Sequence, residues 1–163
     1  MSNEETREFK PEFTMVTLNF RGPVGNSSLP ASLKVPEGSI GDLYHSLDHL
    51  EVESIDPLGE FVRFGTTGLF GFILLDPRTG HVVESGRGMG GVRVVNTTLE
   101  RFSLCVRGLI ERYPFTMDEF GEGWEVAANE LEGMVRRIDP EAYEVQDNYW
   151  YELKWSVASG ELG

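Results

Sequence analysis

Residues 61–113 read FVRFGTTGLFGFILLDPRTGHVVESGRGMGGVRVVNTTLERFSLCVRGLIERY. The fold is decided where this stretch changes period. Phe61, Arg63 and Gly65 alternate with Val62, Phe64 and Thr66, the period of a half-buried strand. Leu69 to Asp76 is almost continuously apolar, as a central strand covered on both faces requires. Asp76-Pro77-Arg78-Thr79-Gly80 is a tight turn: Asp opens it, Pro presets φ and Gly closes it. His81 to Ser85 then returns as the second arm of a hairpin, and Val92 to Val95 is a further short strand. From Thr97 the spacing becomes helical. Leu99, Phe102, Val106, Leu109, Ile110 and Tyr113 share one stripe, Thr97 with Glu100 reads as a capping box, and Pro114 stops the helix.

Working outward, Phe13 to Phe20 predicts a first strand and Arg21 to Ser28 a loop. Ser39, with Asp42 three residues on, predicts the cap of a short helix carrying Ile40, Leu43, Tyr44 and Leu47 on one face. Asp56-Pro57-Leu58-Gly59 is a break. Beyond Pro114, Thr116 and Glu119 offer a second capping box. Trp124, Ala128, Leu131, Val135 and Ile138 mark a helix ending near Asp139-Pro140. A last helix from about Asp147 turns Trp150, Leu153 and Val157 inward, leaves Trp155 off that stripe and ends at Gly160. Strands fill the first two thirds and helices the last third, so the expected class is α+β with a mostly antiparallel sheet. Residues 1–12 are expected to be a disordered tail and residues 13–163 a single domain.

The chain has 163 residues, 40% of them hydrophobic, enough for a real core. No apolar run reaches membrane-spanning length. Met1 to Glu12 lacks the apolar core of a signal peptide, and the single cysteine, Cys105, cannot form an internal disulfide. A cytoplasmic location is expected. The net charge of −13 is uneven: −7 over residues 1–60, +3 over 61–112 and −9 over 113–163. Phosphate contacts need clustered Lys and Arg, so nucleic acid is not an expected partner, nor is a membrane. Acidic flanks suit a soluble protein, or one that meets a basic partner.

Four constellations merit a chemical reading. Gly86-Arg87-Gly88-Met89-Gly90-Gly91 matches GxGxxG, but a dinucleotide site needs a helix to start there and Val92-Arg93-Val94-Val95 is β; an inter-strand loop is expected, with no cofactor. His45 and His49, four apart on the predicted helix, with Asp42 before them, could hold a divalent metal in a small hydrolase. Ser46 stands where HExxH has its Glu, so no general base comes with them. Cys105 lies near the apolar stripe of its helix and reads as a small buried hydrophobe. Asp118, Glu119, Glu122, Glu125, Glu130 and Glu132 gather around one helix, either as its solvated face or as a docking surface for a basic protein.

The succession Phe61-Val62-Arg63-Phe64-Gly65, Phe72-Ile73-Leu74-Leu75-Asp76-Pro77-Arg78-Thr79-Gly80-His81-Val82, Val95-Asn96-Thr97-Thr98-Leu99-Glu100-Arg101-Phe102 resembles the fourth subgroup of the SUKH superfamily of bacterial immunity proteins. Ile138-Asp139-Pro140 and Tyr149-Trp150 resemble its C-terminal helices. The resemblance covers roughly residues 61–157. It implies an α+β fold and a non-enzymatic role: binding and neutralising a cognate polymorphic toxin, often a nuclease or nucleic-acid deaminase. It supplies no catalytic, metal or cofactor residues. The family includes regulatory scaffolds of the same fold, a further alternative. For a basic toxin, Asp118, Glu119, Glu122 and Glu125 are the expected contacts.

Overall fold

The computed structural model describes residues 13–26, 28–37, 39–40, 44–68, 71–86, 90–112, 123–145 and 148–158, with the side chains of 39–40 and 156–158 excepted. Eight strands precede four helices: β1 Met15–Asn19, β2 Ser32–Pro36, β3 Ser39–Ile40, β4 Tyr44–Ile55, β5 Gly59–Thr67, β6 Gly71–Leu75, β7 Val82–Gly86, β8 Arg93–Asn96, α1 Leu99–Arg112, α2 Gly123–Ile138, α3 Pro140–Glu144 and α4 Tyr149–Ala158. β3 to β8 form one antiparallel sheet in chain order, and β1 and β2 a separate antiparallel pair. Phe20 joins the two through a single parallel bridge to Leu50. The α+β class is as the sequence predicts.

The hairpin at Asp76 forms because its turn is self-sufficient. The Asp76 carboxylate accepts the Arg78 amide at 3.0 Å, and the Gly80 amide returns to the Asp76 carbonyl at 2.8 Å. Gly80 sits at φ +79°, where a side chain would be strained. Arg78 reaches further, donating to the Leu58 carbonyl and so tying this turn to the one between β4 and β5. β6 lies between β5 and β7 and is buried on both faces: Ile73 and Leu75 join the main core, Leu74 the opposite side.

The segment predicted as a helix around Ser39 to Leu47 is instead β3, a connection outside the described residues and the start of β4. The apolar residues read as one helical stripe are divided between two strands: Ile40 of β3 and Tyr44 of β4, four apart in sequence, are antiparallel partners. Farther along, Ser46 faces Gly65 and Glu51 faces Arg63, so five steps along β4 oppose two along β5, a bulge. β2 and α3, each five residues, carried no periodicity long enough to read.

The main core lies between the large sheet and the helices. Tyr44 of β4, Phe64 of β5 and Phe102 of α1 meet edge to face, with Tyr44–Phe102 centroids 5.3 Å and Phe64–Phe102 centroids 5.7 Å apart. Gly65 is required here, because a Cβ would come within 2.6 Å of the Tyr44 ring. The far side of the sheet holds a smaller cluster, Phe61, Leu74 and Val83. Arg63 and Arg78 lie over its aromatic rim, 4.2 Å from Phe72 and 4.8 Å from Phe61.

One buried carboxylate ties the helices to the sheet. Asp139, between α2 and α3, has no exposed surface. Its Oδ2 accepts Asn96 Nδ2 at 2.9 Å and the Thr97 amide at 2.8 Å; its Oδ1 accepts the Thr97 hydroxyl at 2.9 Å and Arg101 Nη1 at 3.3 Å. Asn96 in turn accepts Trp150 Nε1 of α4 at 3.1 Å. The cap of α1 therefore differs from the expected one: Thr98, not Thr97, accepts the Arg101 amide at 3.0 Å, because Thr97 is committed to Asp139. Pro114 and the Thr116–Glu119 box lie outside the described residues.

Burial opposes ionisation of Asp139, but the hydrogen bonds from Thr97 and Asn96 and the nearby Arg101 outweigh it and hold the carboxyl below its usual range. Its stabilising contribution is then complete above about pH 4 and is lost as the pH falls through the lower folded value. Asp139→Asn is expected to cost about 2–3 kcal/mol in urea unfolding at neutral pH and to flatten the acid limb of the stability curve. Unchanged stability together with an unchanged acid limb would remove Asp139 from this role.

Candidate functional site

α4 is anchored along one side and, among the described residues, exposed along the other. Asn148 caps it, accepting the Tyr151 amide at 2.8 Å, while its Nδ2 holds the carbonyls of Tyr143 and Val145 at 2.9 and 2.8 Å. Trp150 and Leu153 are buried in the core. Glu152 pairs with Arg93 at 2.8 Å, and Arg93 pairs again with Glu84 of β7 at 2.5 Å. Lys154 Nζ lies 2.7 Å from Glu132 Oε1 of α2, and the Tyr143 hydroxyl donates to the same oxygen at 3.1 Å. The Lys154 hydrogen bond, aided by Tyr143 and Arg136 against partial burial, holds the Glu132 carboxyl below its usual range.

On the outer side Tyr151 and Trp155 form an edge-to-face pair, centroids 6.1 Å apart, and Trp155 is 55% exposed. The expectation that Trp155 falls off the buried stripe is met. A tryptophan left half in water beside a second aromatic is the kind of anchor that protein interfaces concentrate. Glu125 is exposed near the start of α2. It stands seven residues before Glu132, two helical turns, and so shares the stripe of α2 that faces α4. Val126 beside it is also 55% exposed. Glu132 is engaged by Lys154 and, at 3.3 Å, by Arg136, so Glu125 is the carboxylate of this stripe left exposed on the same helical layer as the aromatic pair. The other three expected contacts, Asp118, Glu119 and Glu122, lie outside the described residues.

The remaining sequence candidates fare differently. His45 and His49 lie on β4, not on a helix. His49 Nε2 instead sits 3.0 Å from Glu51, and Asp42 is outside the described residues. Among the described residues no group of three or more His, Cys, Asp or Glu could hold a metal ion. The segment Gly86–Gly91 is followed by β8, as expected; residues 87–89 are outside the described residues. Cys105 is fully buried, and burial pushes its thiol up to about 12, with only the Asn96 amide, 3.6 Å from Sγ, acting in the other direction. Among the described residues, no helix is long and apolar enough to cross a membrane.

A family model described as SUKH-4 immunity protein matches residues 29–155. The match runs from just before β2 into α4, so it takes in more of the N-terminal third than the sequence resemblance did. No curated protein and no solved structure matches the chain.

A thiol this far above its ordinary range should be inert. At about pH 8 a thiol reagent is expected to leave the native chain unmodified and to label it fully in denaturant. Rapid labelling of the native chain would contradict the packing of α1 described here.

Proposed function

The chain belongs to the SUKH-4 immunity protein family, and from that premise we propose that it neutralises a cognate polymorphic toxin by binding it. Membership in the family suggests a toxin-neutralising immunity role, and the family is generally non-enzymatic. The proposed toxin is one that acts on nucleic acid, a nuclease or deaminase, met in the cytoplasm and blocked by a stoichiometric protein–protein interface. The observation that carries the proposed interface is the exposed Tyr151–Trp155 pair of α4. A protein that grips phosphates presents a basic surface. That surface complements exposed Glu125 of α2, with Asp118, Glu119 and Glu122 preceding it in the chain. The charges steer the encounter and the aromatic pair supplies the desolvated anchor.

Co-expression with the toxin encoded beside this gene is the test. The pair is expected to co-purify and the toxin to lose its toxicity. Trp155→Ala is expected to weaken binding by about tenfold or more while leaving the urea midpoint unchanged, because the ring packs mainly against solvent. Added salt is expected to slow association. If the toxin neither co-purifies nor loses toxicity, the proposal fails for that partner; if Trp155→Ala binds as well as wild type, the interface is elsewhere.

A further inference from the structure

β3, two residues long, borders the six-stranded sheet, and beyond it β4 forms the border, its outer side only partly covered among the described residues. β3 pairs with Tyr44 and His45, and Phe20 bridges Leu50. From Glu51 to Ile55 the strand continues, paired with β5 on one side. Among the described residues no strand pairs the other side. Every second residue there turns its N–H and C=O away from β5, the arrangement that templates an added strand. The opposite border of the sheet, β8, is packed by α1, α3 and α4.

A cleft of about 530 Å³ opens beside this free edge, where the chain leaves β1 for the loop at Arg21. Phe20, Arg21, Leu50, Glu51, Val52 and Glu60 are among the residues that line it. Its chemistry alternates. Val52, 36% exposed, presents an apolar contact on the face it shares with Val62. Glu51 and Glu53 lie on the other face and share one guanidinium, Arg63, at 3.1 and 2.8 Å. His49 Nε2 also lies 3.0 Å from Glu51, and Arg21 and Glu60 line the cleft with opposite charges, so with histidine neutral two carboxylates against Arg63 leave negative charge along the edge.

That charge also selects the occupant. If a second copy added its own edge, antiparallel pairing centred on Glu53 would set Glu53 against Glu53. In-register parallel pairing would set both glutamates against their twins. Like charges directly opposite are destabilising. A guest strand with Lys or Arg opposite Glu51 and Glu53, and an apolar residue opposite Val52, meets complementary groups throughout. We propose that the Glu51–Ile55 edge of β4, with the cleft beside it, accepts an extended segment of a partner polypeptide that alternates basic and apolar side chains, as an added β-strand. This surface is at the β4 border, whereas α4 sits at the β8 border, so it is separate from the helical face.

The test is titration of the full isotope-labelled chain with a decapeptide alternating Lys and Val, followed by backbone amide NMR. Shifts are expected at residues 51–55 and in the loop at 20–26. Val52→Lys is expected to weaken binding about tenfold. Glu53→Gln is expected to weaken it about threefold at low salt, a difference that high salt removes; this milder change keeps the test usable if Val52→Lys perturbs the fold. A decapeptide alternating Glu and Val is expected to cause no shifts. The proposal is overturned if the basic peptide shifts nothing, if its shifts fall on α4 or elsewhere, or if both peptides act alike. None of these outcomes depends on the toxin.

Discussion

The carboxylate of Asp139 is the constraint from which the rest of the helical layer hangs. It is wholly buried, and a buried charge is tolerated only when its oxygens are satisfied. Four donors from Asn96, Thr97 and Arg101 do this, and each belongs to the junction of β8 with α1. The end of α2 is thereby fixed to the end of the sheet. Asn96 passes the constraint on to α4 through Trp150. Satisfying one buried charge thus sets the position of three helices.

α4 shows how this bears on function. Its inner side is spent on Trp150, Leu153 and the Glu152–Arg93 pair, and Lys154 is engaged by Glu132. Among the described side chains, Tyr151 and Trp155 remain on the outer side. Aromatic side chains have few rotatable bonds and lose little conformational entropy on binding, which makes such residues effective anchors. Exposed Glu125 of α2 adds negative charge to the same helical layer.

The parts legible in the sequence were those whose cause is local. The Asp76–Gly80 hairpin carries its own turn chemistry, and α1 and α2 are long enough for their stripes to be unmistakable. The parts that were not legible depend on distant partners. Thr97 looked like a helix cap, but its hydroxyl belongs to Asp139, forty-two residues away. The segment around Ser39 looked helical because Ile40 and Tyr44, four apart in sequence, are partners across β3 and β4. On the candidate site, the exposure of Trp155 followed from its place off the Trp150–Leu153 stripe. The pairing of Glu132 with Lys154, which brings α2 and α4 together, did not, since nothing in either helix alone announces it. The histidines of β4 show the reverse case: a spacing that suggested a metal site lost its meaning once the backbone was extended.

The proposed immunity role places the toxin contact on the α2–α4 face. Hydrogen exchange on the chain, free and saturated with the toxin it is proposed to neutralise, is the measurement that decides it. The account predicts that protection gained on binding concentrates in residues 123–132 and 149–155. A tight complex in which those amides exchange as in the free chain, with protection appearing elsewhere, would contradict it.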